Sequence, residues 1–229
     1  MRIGFLGGSF DPPHCGHVAL ARLALQRLQL DRVLFAPVGV QPLKRDRSLA
    51  GFEDRVAMTE LAIEREPQMA VSLVDSPHPG SRPNYTMDAI HALRATLTPA
   101  DQIFCLMGAD SFLSIGRWYR AAELLLACDF VVAARPGFDL GRLAGALPET
   151  VSVGACDAPH ADSLVLCLHH AGEPASHLYL LPDLAEDVSA SAIRAALHRG
   201  GIAPAVIHPR VAAYIRSHGL YREDTDSAG

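Results

Sequence analysis

The chain has 229 residues, 49% hydrophobic and 20% charged, enough for a sizeable core and too apolar for broad disorder. A formal net charge of −5 supplies no surface-wide basic field for nucleic acid, although a local positive pocket for a small anion stays compatible with it. No apolar run approaches the ~20 residues that cross a bilayer, and the start lacks the apolar core of a signal peptide, so a soluble cytoplasmic protein without membrane or nucleic-acid partners is expected.

An apolar run over 3–6 reads as a buried first strand, followed by GGSFDPPHCGH at 7–17 and then HVALARLALQRLQL, whose Val18, Leu20, Leu23 and Leu28 predict a helix packed on a sheet. Strand, small-residue loop, helix is the arrangement in which an open α/β sheet binds anions at a helix N-terminus. Gly7 and Gly8 allow close backbone approach, Pro12 and Pro13 keep the chain extended, and His14 and His17 can face one side of an opening helical turn. Two imidazole donors there suit charge developing on a phosphate.

RVLFAPVG reads as a second strand, and the loop after it crowds Lys44, Arg45 and Arg47, which suits either a solvated charge run or anion binding. FEDRVAMTELAIERE is a helix with Val56, Met58, Leu61 and Ala62 inward, stopped by Pro67. AVSLVD is a third strand, and YTMDAIHALRATL a helix with Met87, Ile90, Leu93 and Leu97 on one face. A strand over 102–107 then runs into Gly108, Ala109 and Asp110, an acid placed either for a ribose hydroxyl or as a helix N-cap. Trp118 follows, as a pocket wall or a core aromatic, then AAELLLACD as a helix and FVVAARPG as a strand. The alternation predicts an α/β fold with a doubly wound, mainly parallel, right-handed, Rossmann-like sheet.

Residues 139–187 are hard to read: LGRLAGAL suits a short helix, SLVLCL and HLYLLP late strands. Five cysteines (Cys15, Cys105, Cys128, Cys156 and Cys167) show no Cys-x-x-Cys pair, so reduced core thiols are expected over a disulfide or zinc framework. Cys156, His160, Cys167, His169 and His170 lack a repeated ligand spacing, and no metal site is assigned to them. VSASAIRAALHRGG places Ser189 and Ser191 at a helix start, where capping hydroxyls, free amides and Arg194 make a phosphate cradle. HPRVAAYIRSHGLYRE is a last amphipathic helix with Val211, Tyr214 and Ile215 inward. One domain over 1–222 is expected, its C-terminal helical part at about 189–222, with a loose tail at 223–229.

GGSFDPPHCGH resembles the signature of the nucleotidyltransferase superfamily with the His-x-Gly-His motif, and VSASAIR resembles that superfamily's second signature. Together with RPNYTMD, GADSF before Trp118, RPG at 135–137 and VAAYIRSHGLY, these stretches look like bacterial nicotinate-mononucleotide adenylyltransferases over nearly the whole chain. The resemblance implies direct in-line transfer of an adenylyl group from ATP, with Mg²⁺, to nicotinate mononucleotide, giving deamido-NAD and pyrophosphate in NAD biosynthesis. It implies His14 and His17 on the ATP phosphates, Ser189, Ser191 and Arg194 on the β and γ phosphates, Asp110 on the ATP ribose, and Gly8, Ser9 and Phe10 along the path between the nucleotides. On the acceptor side it implies Lys44 near the mononucleotide phosphate, the Tyr85 and Thr86 amides on the carboxylate, Trp118 on the pyridine ring, and Arg135. Ser191 stands where the family commonly has Thr, Leu43 where it often has His, and Asn84 and Ala89 where Ser and Thr are common. Rival readings are a sister enzyme acting on nicotinamide mononucleotide, phosphopantetheine or a sugar phosphate, and a non-catalytic nucleotide sensor.

Overall fold

The computed structural model describes residues 1–41, 50–134, 141–156, 164–171, 173–182, 184, 188–199 and 206–222. The first half alternates as the apolar periodicity predicts: β1 (Arg2–Gly8), α1 (Cys15–Leu28), β2 (Arg32–Pro37), α2 (Phe52–Ile63), β3 (Met69–Val71), α3 (Thr86–Arg94), β4 (Gln102–Gly108), the single turn α4 (Ala109–Phe112), α5 (Ala121–Ala127) and β5 (Asp129–Ala133). Then come α6 (Gly141–Ala144), β6 (Val151–Ala155), β7 (Leu164–His170), β8 (Glu173–Leu181), α7 (Ala190–His198) and α8 (Pro209–Ser217). One eight-stranded sheet runs in the order β3-β2-β1-β4-β5-β8-β7-β6. All pairings from β3 to β8 are parallel, and only β8-β7 and β7-β6 are antiparallel.

Both faces of the parallel part are covered, which explains why its strands read as continuous apolar runs rather than as alternating ones. Ile103, Cys105 and Met107 of β4 enter one core with Phe130 and Val132 of β5, beneath Ile90 and Leu93 of α3 and Leu124 and Leu125 of α5. The alternate residues Phe104, Leu106, Val131 and Ala133 enter the other, against Leu20, Ala21, Ala24 and Leu28 of α1. A third cluster joins Met58 of α2, Ile193 of α7 and Val211, Ala212 and Ile215 of α8, so the C-terminal helices pack on the second βα unit.

Three expectations change. In α2 the buried positions are Arg55, Met58, Thr59 and Ile63, a stripe rotated from the one expected, because a cation on the apolar face finds partners inside. The strand β6 went unread, since VSVGA has only two apolar side chains larger than Ala. Cys156 and Cys167 form a disulfide, against the expectation of reduced thiols, while Cys15, Cys105 and Cys128 are free. The reason is register: Gly154 faces Cys167 across β6 and β7, so Cys156, two residues further on, sits diagonal to Cys167 on the same face.

No helix among the described residues is long and apolar enough to cross a membrane. Phe130 is fully buried and meets the Phe112 ring edge-on at 6.1 Å between centroids. Replacing Phe130 by Ala is expected to cost about 3–5 kcal/mol, read as a fall in the urea midpoint at unchanged slope.

Candidate active site

The loop after β1 lies at the C-terminal edge of the sheet. Its Gly8 carbonyl accepts the Val38 amide at 2.9 Å, so the ends of β1 and β2 stay together where they leave the sheet. The Asp11–Pro12 peptide is cis, and Phe10 has a positive φ of 48°. Phe10 is 1% exposed, its ring lying beneath Gly8 and edge-on to His17 at 5.0 Å. The Phe10 side chain therefore does not line a path between two nucleotides; it is the floor under Gly8, and only its backbone belongs to the loop.

His14 occupies the N-cap position of α1 and His17 its first turn. Their rings stack at 3.7 Å, 28° from parallel, so both imidazoles share one side of the helix start, as the three-residue spacing predicts. The His14 backbone N–H donates to His17 Nδ1 at 3.2 Å. With Nδ1 accepting, the neutral His17 ring carries its proton on Nε2, where it can be donated to an anion at the positive end of α1.

The second motif meets the first. Arg194 Nη1 donates to the Asp11 carbonyl at 2.8 Å and lies 3.6 Å from Asp11 Oδ2, while Arg194 Nη2 donates to Ser191 Oγ at 3.4 Å. The α1 start is tied to the C-terminal segment as well, through Cys15 N–H to the Val206 carbonyl at 2.8 Å. Ser189 is the N-cap residue of α7, but its hydroxyl makes no capping bond, which corrects the expectation of a side-chain cap there. Asp110 is exposed in the first turn of α4 just past β4; the N-cap of that turn is Gly108, which sets aside the capping alternative.

Two buried polar residues beneath the loop escaped the sequence reading. Asp11 is fully buried; its Oδ1 accepts the Tyr221 hydroxyl at 2.6 Å and the Ala50 amide at 3.0 Å. Burial, and then the Asp11 carboxylate, push the Tyr221 hydroxyl well above the ordinary tyrosine range. Arg55, 3% exposed, donates to the carbonyls of Ser9 (2.8 Å), Val38 (2.8 Å), Gly39 (3.3 Å) and Ala50 (3.2 Å). Burial lowers its pKa, while Asp11, Tyr221 and Asp75 act to raise it. Asp11 was discoverable, since it stands inside GGSFDPPHCGH; Arg55 had only the weak signal of a cation one position off an apolar stripe.

Beside Gly7 and Gly8 opens a pocket walled by Tyr85, Thr86, Trp118 and Tyr119, with Val38, Gln41, Asp75, Asn84, Arg117 and Leu124 completing it. Tyr85 is the N-cap of α3 and Thr86 its first residue, so the first amides of that helix, which have no intrahelical partner, belong to the pocket wall. Trp118 reconciles its two readings: it lines the pocket, packs its other side on the core, and is oriented by Nε1–H donation to Ser114 Oγ at 3.0 Å. Tyr119, which the sequence reading passed over, stacks on Tyr85 at 4.3 Å.

Asn84 is no loose substitute for a serine. Its Oδ1 accepts the Val40 amide at 2.9 Å, and its Nδ2 donates to the carbonyls of Asp75 (3.0 Å) and Ser76 (2.8 Å) and to Asp75 Oδ1 (3.1 Å). Burial pushes the Asp75 carboxyl up to about 6, with Asp88 adding to the rise and the Asn84 amide and Arg55 opposing it. A Cβ on Gly39 would lie 2.5 Å from the Pro77 backbone, so the loops meet where only glycine fits. Lys44 and Arg135 lie outside the described residues.

This geometry belongs to a widespread lineage. A family model described as Cytidylyltransferase-like matches residues 5–196. Among curated relatives, a "Probable nicotinate-nucleotide adenylyltransferase" of Geobacter sulfurreducens is 34% identical, over 98% of this chain and 100% of its own. One of the same name from Laribacter hongkongensis is 36% identical over 97% of this chain and 96% of its own. Of solved structures, the Plasmodium falciparum nicotinic acid mononucleotide adenylyltransferase complexed with NaAD superposes with a TM-score of 0.67 at 20% identity, covering 96% of this chain and 97% of its own, a likeness of fold. With its two signatures joined at Asp11 over a parallel sheet, the chain belongs to the cytidylyltransferase-like family of nucleotidyltransferases, in the group of the bacterial nicotinate-nucleotide adenylyltransferases.

Proposed function

We propose that the protein transfers the adenylyl group of ATP to nicotinate mononucleotide, releasing pyrophosphate and forming nicotinic acid adenine dinucleotide. The observation that carries this reading is the end-to-end similarity to curated enzymes of that name, 34% identical across 98% of this chain. The meeting of Arg194 with the Asp11 carbonyl at 2.8 Å supports it, because it sets the two phosphate-binding motifs around one space.

In this reading the mononucleotide phosphate attacks the α-phosphorus of ATP in line, and the protein's work is positioning and charge stabilisation. His17 donates from Nε2 to the α-phosphate as charge builds there, and His14, stacked on it, contacts the same phosphates. Ser189, Ser191 and Arg194 hold the β and γ phosphates, and Asp110 accepts from the ATP ribose. Gly8 and Ser9 line the path between the two nucleotides. Lys44 and Arg135, on the acceptor side, belong to the same proposal.

Magnesium enters with ATP. As a hard cation it takes oxygen ligands and keeps several waters. ATP oxygens and water would supply most of its ligands, and Asp11, fully buried and bound to Tyr221 and Ala50, would stand apart from it. When bound it neutralises charge on the departing pyrophosphate.

The nicotinate ring enters the pocket beside Gly7 and Gly8, flat against Trp118, with its carboxylate at the Tyr85 and Thr86 amides. A carboxylate gains charge-assisted bonds from helix-start amides that an amide group does not. Pyrophosphate release across a panel of acceptors should therefore favour nicotinate mononucleotide over nicotinamide mononucleotide by about tenfold to a hundredfold. Equal or faster turnover of the amide, or of phosphopantetheine, would refute the acceptor assignment.

His17→Ala should fold normally by circular dichroism and lose about a hundredfold or more in turnover, the scale of one lost donor to a developing oxyanion. Near-normal pyrophosphate release from that variant would rule His17 out as the stabiliser of α-phosphate charge.

Asp75 generates a separate expectation. Its carboxyl stands at about 6 in the fold and near the ordinary ~3.9 when unfolded. Between those values the folded chain binds more protons than the unfolded one, so this group's contribution falls as pH rises through that window and levels off above it. Asp75→Asn should abolish that component, gaining up to about 3 kcal/mol on wild type between about pH 4 and about pH 7. Urea midpoints of both proteins at the two pH values check it.

A further inference from the structure

At the far edge of the sheet, three strands bring together residues that the transferase reading does not use. Cys167 in β7 faces His177 in β8 directly across the antiparallel ladder, and Cys156 follows the end of β6 on the diagonal. One ligand atom from each of Cys156, Cys167 and His177 lies within 4.8 Å of the other two, the one such grouping among the described residues. The cysteine Cα atoms are 5.3 Å apart. All three residues are half-buried, so the cluster is reachable from solvent.

The histidine is oriented for more than packing. Asp129 Oδ1, at the start of β5, accepts the His177 backbone N–H at 2.9 Å and meets His177 Nδ1 at 3.1 Å. A carboxylate on one ring nitrogen fixes the tautomer and the ring orientation, the support a metal-ligating imidazole commonly has.

We propose that in its dithiol form the Cys156–Cys167–His177 cluster binds a thiophilic divalent cation of the zinc class, with water in the fourth position. The disulfide is the oxidised form of the same site. A dithiol reductant supplies two electrons and two protons, the S–S bond breaks, and two thiols result. The cation then displaces those two protons to solvent and forms two metal–sulfur bonds and one bond to His177 Nε2. In a tetrahedral zinc site, ligand lengths of about 2.3 Å to sulfur and 2.0 Å to nitrogen set the donors about 3.5–3.8 Å apart. The donor atoms lie within 4.8 Å of one another, and rotation of the released thiols and of the imidazole brings them to that spacing. The proposal is independent of the adenylyl-transfer reading, since the cluster shares no residue with the phosphate motifs.

The test uses the full chain, reduced with a phosphine, freed of reductant and titrated with Zn²⁺ alone; metal bound per chain is counted after gel filtration. Reduced wild type should retain one equivalent, the oxidised protein none, and Cys156→Ser none. His177→Ala keeps both thiols and should weaken binding at least about tenfold, with pyrophosphate release as the check that it folds. Co²⁺ in place of zinc should give a thiolate-to-metal absorption band in reduced wild type that Cys167→Ser lacks. No uptake by the reduced chain, no thiolate band, or uptake by Cys156→Ser and His177→Ala equal to that of reduced wild type each overturns the proposal.

Discussion

One buried carboxylate organises the catalytic edge of this protein. Asp11 has no exposure to solvent, yet it receives the Tyr221 hydroxyl from beyond the last helix, the Ala50 amide from the start of the second helical unit, and Arg194 from the second motif. Those partners are 210, 39 and 183 residues away in sequence. Ion pairs of this kind contribute little net stability, because desolvation offsets most of the attraction, but an unpaired partner left behind is costly. Any packing of the C-terminal helices that left Asp11 without Arg194 and Tyr221 would strand a charge in the interior. The node thus selects one arrangement of chain ends, and that arrangement brings Arg194 to the loop carrying His14 and His17.

Arg55 acts on the other side of the same loop by a related rule. Ser9, Val38, Gly39 and Ala50 turn their carbonyls inward to one guanidinium. A planar fork with five donors can serve carbonyls from several directions, which a lysine cannot. The backbone at Ser9, Val38, Gly39 and Ala50 is thereby held from one side by a single side chain. Phe10 belongs to this support too, since its ring sits under Gly8 instead of in the cleft.

How much of this the sequence disclosed depends on whether the signal was local. The parallel half was legible because strands covered on both faces are uniformly apolar and the helices between them keep their period. The His14–His17 pair was legible because three residues on a helix start fix a geometry. Arg55 was nearly invisible, since what makes a buried cation tolerable is four carbonyls from other segments. Asn84 looked like a deviation from its family, and only the meeting of the loops near Val40 and Asp75 shows it to be a four-way brace. The Cys156–Cys167 pair was misread for the same reason: the two lie 11 residues apart, and only the β6–β7 register, in a stretch without clear patterning, sets them diagonally on one face.

The split between a parallel body and an antiparallel margin has a consequence for where chemistry sits. Ligand-binding loops gather at the C-terminal ends of the parallel strands, beside helix starts whose dipoles attract anions. The strands β6 and β7 contribute no such end in series with β1, β4 and β5; within the sheet they pair with the body along β8, while Val151 and Leu168 pack into the core beneath α3 and α5. A margin attached along one ladder is the part of a sheet most in need of a further tie. Asp129 supplies one, reaching from the first residue of β5 to His177 in β8, and the Cys156–Cys167 link supplies another between β6 and β7. The cluster therefore crosses the same three strands that the backbone ladders join, and it shares no residue with the loop carrying His14 and His17 or with Arg194.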